Sequence, residues 1–175
     1  MHPSITTAIP QDAPELERLV NSAYRGDSSR IGWTTEGDLL DGTRTDASAI
    51  EDLLRKNGTL ILKYVENGKI LGCVELAREA EGLYLGMLTV QPRLQGKGIG
   101  KALLKAAEAE AKKQRCSKIF MSVISVRTEL INWYLRHGYT DTGRKKPFNF
   151  TDPRFGFPKQ KLEFVVLEKE IDRQE

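Results

Sequence analysis

Between a strand-like run and a long helical pattern the chain reads Val90-Gln91-Pro92-Arg93-Leu94-Gln95-Gly96-Lys97-Gly98-Ile99-Gly100-Lys101-Ala102. Glycines at the start of a helix let backbone N–H groups approach an anion, and the helix dipole favours negative charge there. A strand-to-helix turn needs one glycine; three in alternation call for a ligand or a close backbone approach. Two phosphate motifs fail on these residues. A dinucleotide fingerprint would need its third glycine where Lys101 stands. A Walker A loop would begin at Gln95, and Ala102 offers no hydroxyl to magnesium. Charge agrees with an anion site: no Asp or Glu lies between Glu81 and Glu108, whereas Arg93, Lys97, Lys101 and Lys105 do. Acids are preferred at a helix start, so a bound phosphate is the better account of Lys97 and Lys101. Lys105 also reads as solvated helix face.

Other residues offer chemistry with less pattern behind them. Tyr134 has a phenol that can donate a proton, or can pack as a core aromatic with Leu130. Glu75 alternates with Leu71 and Cys73 and reads as a general base or as a solvated strand side chain. Cys73 and Cys116, with only His2 and His137 beside them in composition, form no metal spacing and no disulfide framework. Trp33-Thr34-Thr35-Glu36 and Arg44-Thr45-Asp46 lie in a polar stretch, roughly Arg25–Thr45, too long to be filler. Trp33 reads as a lid anchor or as a plug over a sheet edge. Glu36, Asp38, Asp41 and Asp46 make the stretch acidic and favour a cationic acceptor; Arg144-Lys145-Lys146-Pro147 argues for an acid group on it.

The elements that must position these residues follow from periodicity. Strands are expected at Ile5–Ile9, Thr59–Glu66, Lys69–Arg78, Leu83–Val90, Lys118–Ser125 and Leu162–Lys169, with one more after Gly138. Helices are expected at Ala13–Tyr24, Ala47–Lys56, Ile99–Gln114 and Thr128–His137. Asn67-Gly68 between two apolar runs predicts a hairpin. With 175 residues, 39% hydrophobic and 29% charged, one domain spanning 1–175 is expected. A net charge of +3, without aromatics among the basic residues, argues against nucleic acid. The start lacks a signal-peptide pattern and no apolar run would span a membrane, so a cytoplasmic protein is expected.

Gln95-x-x-Gly98-x-Gly100, after Met87-Leu88-Thr89-Val90 and Pro92 and before an Ala/Leu helix, resembles the central motif of the GNAT family of N-acetyltransferases. Trp133-Tyr134-Leu135-Arg136-His137-Gly138-Tyr139 is similar to that family's Tyr-x-x-x-Gly-aromatic segment. The resemblance covers most of the chain except roughly 25–45 and 145–160. It implies an α/β (α+β) fold, a mixed, mostly antiparallel sheet of about six to seven strands flanked by about four helices. It implies an acetyl-coenzyme A-dependent N-acetyltransferase, moving acetyl from the thioester to an amine of a small molecule or peptide in a ternary complex. The pyrophosphate would lie on Gln95, Gly96, Lys97, Gly98, Ile99, Gly100 and Lys101. The pantetheine arm would run along Leu88, Thr89 and Val90, with Met87 beside the thioester. Tyr134 would protonate the leaving thiolate and Glu75 is the nearest candidate base. Trp33, Glu36 and Arg127 would meet the acceptor; Arg127 stands where the family often has Asn. No metal, nucleic-acid or membrane partner is implied, and a homodimer stays open. Two alternatives share the phosphate residues: a non-catalytic acyl-coenzyme A sensor, and a transferase using an oxygen acceptor or a longer acyl chain.

Overall fold

The computed structural model describes residues 2–148 and 157–172. The chain enters through β1 (Ser4–Thr7), which stops short of Ile9 because the Ile9 N–H turns to the Asp12 carboxylate. α1 (Ala13–Tyr24) has Pro14 in its first turn, where a missing N–H costs nothing, and buries Leu16, Leu19, Val20 and Ala23. The stretch without periodicity holds only α2 (Gly26–Ser29), turns, and the two-residue β2 (Leu40–Asp41). Asp46 caps α3 (Ala47–Arg55) by accepting the Ala49 N–H at 2.7 Å. β3 (Thr59–Glu66) and β4 (Lys69–Glu79) make the expected hairpin, with Asn67 and Gly68 at φ 52° and 75°. β5 (Gly82–Val90) leads through Pro92 into α4 (Ile99–Lys113). β6 (Lys118–Ile124), α5 (Thr128–Arg136), β7 (Thr140–Pro147), β8 (Phe157–Pro158) and β9 (Glu163–Glu170) follow.

Seven strands form one sheet in the order β1-β3-β4-β5-β6-β9-β7, while β2 and β8 pair separately. Every pairing is antiparallel except β5 with β6. With its flanking helices this is the mixed sheet that the sequence leads one to expect. α1 and α3 cover one face over Ile61, Ile70, Cys73 and Met87; α4 covers the other over Val74, Leu76, Leu83 and Leu85.

Two irregularities in the middle of this sheet open a site. The β4–β5 register steps from Cys73↔Thr89 to Glu75↔Gly86, so Val74 alone faces Met87 and Leu88. Met87 absorbs the extra residue at φ 52°, and a bulge of this kind bends its strand. Beyond it, β5 and β6 pair only at Leu83↔Ile119 and Tyr84↔Phe120. The strands then part, and a cleft opens at the sheet's centre.

Candidate active site

A cavity of about 270 Å³ lies on the glycine-loop side of the parted strands. Of the residues expected to hold coenzyme A, Leu88, Thr89, Val90, Gln95, Gly96, Gly98, Ile99, Gly100 and Lys101 line it; Lys97 is exposed and does not. Gly98 caps α4 at φ 88°, a left-handed conformation in which a side chain would find space but strain. At Gly100 space decides: a Cβ would stand 3.2 Å from the Trp133 ring. The first turn of α4 has no acid and no capping side chain, leaving its N–H groups without a protein acceptor from that source. Among the described residues, Arg93, Lys97, Lys101 and Lys105 enter no ion pair. Gln95 is engaged at home: it accepts the Trp33 N–H at 2.9 Å and donates to the Val90 carbonyl at 3.3 Å. It thereby ties the loop of Trp33 to the end of β5. Trp33 sits 6.5 Å from Trp133 in the cavity wall, and the Trp133 ring lies 4.3 Å from that of His137.

A second cavity, about 330 Å³, opens on the other side of Leu88. Its walls include Tyr24, Tyr84, Met121, Phe148 and Phe164, with Arg25, Glu36, Arg44 and Lys146 among them. Tyr24, Leu88, Arg127, Leu130 and Tyr134 line both cavities. Tyr134 is buried, edge-on to Trp133 at 5.1 Å and to Tyr139 at 5.7 Å. Among the described residues its hydroxyl has no hydrogen-bond partner. Burial, with Tyr24 and Tyr139 adding to it, holds its pKa well above that of an ordinary phenol, so the proton stays on. The Tyr24 hydroxyl donates to the Leu88 carbonyl at 2.8 Å, and burial pushes its own pKa up to about 12.

Glu36 and Arg127 meet in a buried network. One Glu36 oxygen accepts from Arg25 Nε at 2.8 Å and the other from Arg127 Nη1 at 3.1 Å. Arg127 Nη2 donates to Thr34 Oγ1 at 2.7 Å; its Nε is buried without a hydrogen-bond partner, 4.0 Å from Glu129 Oε1. Residues 34–36 are thus fastened to the start of α5. Of this loop's acids, Glu36 alone lines the second cavity among the described residues. Glu36 serves two arginines, Asp38 pairs with Arg30, and Asp46 caps α3; the Asp41 side chain lies outside the described residues. Four cations, Arg25, Arg44, Arg127 and Lys146, line the second cavity against one carboxylate, Glu36.

Glu75 is not brought to Tyr134. It lines neither cavity and stands opposite Ile61, on the sheet face under α1 and α3. Burial raises its pKa, against the nearby charges of Arg44 and Lys56. The sequence did not single out Tyr24 or Tyr84, and Arg44 and Trp133 stood out only as members of longer segments, with no role of their own. A signal existed for Tyr84: Gly86 interrupts an apolar strand, and a Cβ there would meet the Tyr84 ring at 2.8 Å. Tyr24 ends an ordinary amphipathic helix and carries no such mark.

Set beside known proteins, residues 16–139 match the profile of the Acetyltransferase (GNAT) family. The chain belongs to the GNAT family. A relative from Azospirillum brasilense named IAA acetyltransferase is 27% identical over 143 residues, covering 81% of this chain and 82% of that protein. Uncharacterized protein YdhI of Bacillus subtilis is 30% identical over 74 residues, a stretch that spans 42% of this chain and 45% of YdhI. The GNAT fold recurs in the ribosomal-protein-S18-alanine N-acetyltransferase of Escherichia coli, at TM-score 0.72 and 15% identity, covering 99% of this chain and 97% of that one. It recurs in yncA of Salmonella typhimurium, solved with its cofactor acetyl-CoA, at TM-score 0.71 and 19% identity, covering 100% and 97%.

Proposed function

We propose that this GNAT protein is an acetyl-coenzyme A-dependent N-acetyltransferase acting on an amine of a small molecule or peptide by direct attack in a ternary complex. The observation that carries the reading is the position of Tyr134. A neutral phenol, without a protein partner among the described residues, stands in the wall common to both cavities. The residues of the first cavity fit coenzyme A: a left-handed glycine cap, Gly100 under Trp133, an acid-free helix start and Lys101, which enters no ion pair among the described residues. The yncA structure with acetyl-CoA and the name IAA acetyltransferase are in keeping with that fit.

Acetyl-coenzyme A supplies an acyl carbon activated as a thioester. The α4 N-terminus, Gly96, Gly98 and Lys101 would hold its pyrophosphate, and the free edge of β5 would run beside the pantetheine arm. The acceptor nitrogen, entering from the second cavity, forms the C–N bond as the C–S bond breaks. Tyr134 gives its proton to the departing sulfur, and the nitrogen's proton leaves to water. Tyr24 holds the Leu88 carbonyl at 2.8 Å and so fixes the bulged strand at the point of attack. Glu75, outside both cavities, has no part in this scheme.

Tyr134→Phe tests it, since phenylalanine keeps the ring contacts with Trp133 and Tyr139 and removes the donor. The expected result is a fall in kcat of about 10²–10⁴-fold with little change in KM for acetyl-coenzyme A, read as thiol release with an amine found by screening. Activity within a few-fold of wild type removes Tyr134 from the chemistry. Coenzyme A binding with no thiol release for any amine would favour the sensor.

A further inference from the structure

We propose that Arg44 binds a carboxylate of the acceptor, so that the substrate is a compact amine that also bears an acid group, as a free amino acid with an apolar side chain does. The inference rests on the N-acetyltransferase reading of the same cleft. It starts from an imbalance of charge. Of the four cations lining the second cavity, Arg25 and Arg127 divide Glu36 between them and Lys146 is exposed. Arg44 is different. Its guanidinium makes no hydrogen bond or ion pair among the described residues and rests over the Tyr24 ring, 5.4 Å from the centroid. Glu36 and Glu75 lie near enough to favour its charge, but neither pairs with it.

The backbone fixes where this guanidinium stands. The N–H groups of Arg44 and Thr45 both donate to Asn21 Oδ1, at 2.8 and 3.0 Å, and Asn21 Nδ2 donates to the Thr45 carbonyl at 2.9 Å. The side chain is therefore positioned by α1 without an ionic partner. A planar, partly desolvated guanidinium with its forked donors open suits a carboxylate held by two parallel bonds. Tyr24 gives the spacing: its ring lies under Arg44 and its hydroxyl reaches the Leu88 carbonyl. Arg44 and the Leu88 carbonyl are thus both held against the one Tyr24 side chain, close enough for a compact molecule to reach both. Tyr84, Met121, Phe148 and Phe164 leave an apolar wall for the rest of the molecule.

The test is thiol release with a panel of apolar and aromatic L-amino acids, each beside its amide and its aminophosphonate analogue. The wild type is expected to prefer the acid over the amide by at least about 30-fold in kcat/KM. Arg44→Gln is expected to raise KM for the amino acid about 100-fold, leave kcat and KM for acetyl-coenzyme A within a few-fold, and abolish the preference; Arg44→Lys restores part of it. A second readout does not depend on turnover or on the variants folding. Calorimetry with the wild-type coenzyme A complex is expected to register N-acetyl amino acids and not their amides. Equal use of acid and amide, or an unchanged preference in folded Arg44→Gln, overturns the proposal and leaves the transferase reading standing. Preference for the aminophosphonates overturns it in favour of a phosphorylated ligand. Coenzyme A binding without thiol release from any amine or amino acid overturns the transferase reading, and the acceptor proposal with it.

Discussion

The two cavities on either side of Leu88 are made by different means. Half of the first cavity's wall is one continuous stretch, Leu88 to Lys101, presenting glycine and a helix terminus; the other half comes from α1, the 25–45 loop and α5. The second gathers side chains from α1, the 25–45 loop, β5, β6, α5 and β7, and depends on a buried Arg25–Glu36–Arg127 network to hold them. A backbone site is set by glycine spacing and tolerates change in its side chains. A side-chain site is set by which distant residues the fold brings together, so it can vary while the first stays constant. The account therefore expects damage to fall unequally on the two.

The largest effect is expected where the second cavity is fastened. Glu36→Gln removes the carboxylate that the buried Arg25 and Arg127 share and is expected to cost about 3–5 kcal/mol, read as a shift in the urea midpoint. Folded molecules of the variant should still bind coenzyme A as the wild type does; loss of that affinity would mean that the cavities are not separable. Gly98→Asp is the complementary change. It places a carboxylate on a left-handed position at the mouth of α4, and coenzyme A is expected to bind about 2 kcal/mol more weakly by calorimetry. Unchanged affinity in a folded protein would put the phosphates elsewhere.

A smaller effect concerns pH. In the proposed scheme the acid form of Tyr134 is the active one, and burial holds its pKa well above that of an ordinary phenol. The acceptor amine must be neutral, so kcat is expected to rise with pH and to hold its plateau past about 10, where an ordinary phenol would be half ionised. An alkaline fall centred at or below that value contradicts the assignment. The smallest effect is expected at Glu75, which faces α1 and α3: Glu75→Gln should leave kcat within a few-fold. A loss of about 100-fold or more would return it to the chemistry as a base.

This contrast also decides what could be read from the sequence. The order of strands and helices was legible because periodicity and Asn67-Gly68 are local signals. Most of the first cavity was legible for the same reason; Lys97 was not, because spacing along a helix start does not reveal which turn faces inward. The bulge at Met87 left no mark, since a non-glycine residue at φ 52° has no compositional signature. Glu36 and Arg127, 91 residues apart, read as acceptor contacts because nothing local shows that each satisfies the other. Arg44 passed as one charge in an acidic loop until the partners of its acidic neighbours were known.

Co-crystallisation with coenzyme A tests the central claim most directly, because one structure reports both ends of the cofactor. The account predicts the pyrophosphate against the backbone N–H groups of residues 96–101, and the sulfur within hydrogen-bonding reach of the Tyr134 hydroxyl at the junction of the two cavities. A pyrophosphate bound elsewhere, or a sulfur directed away from Tyr134 with the loop occupied, would contradict it.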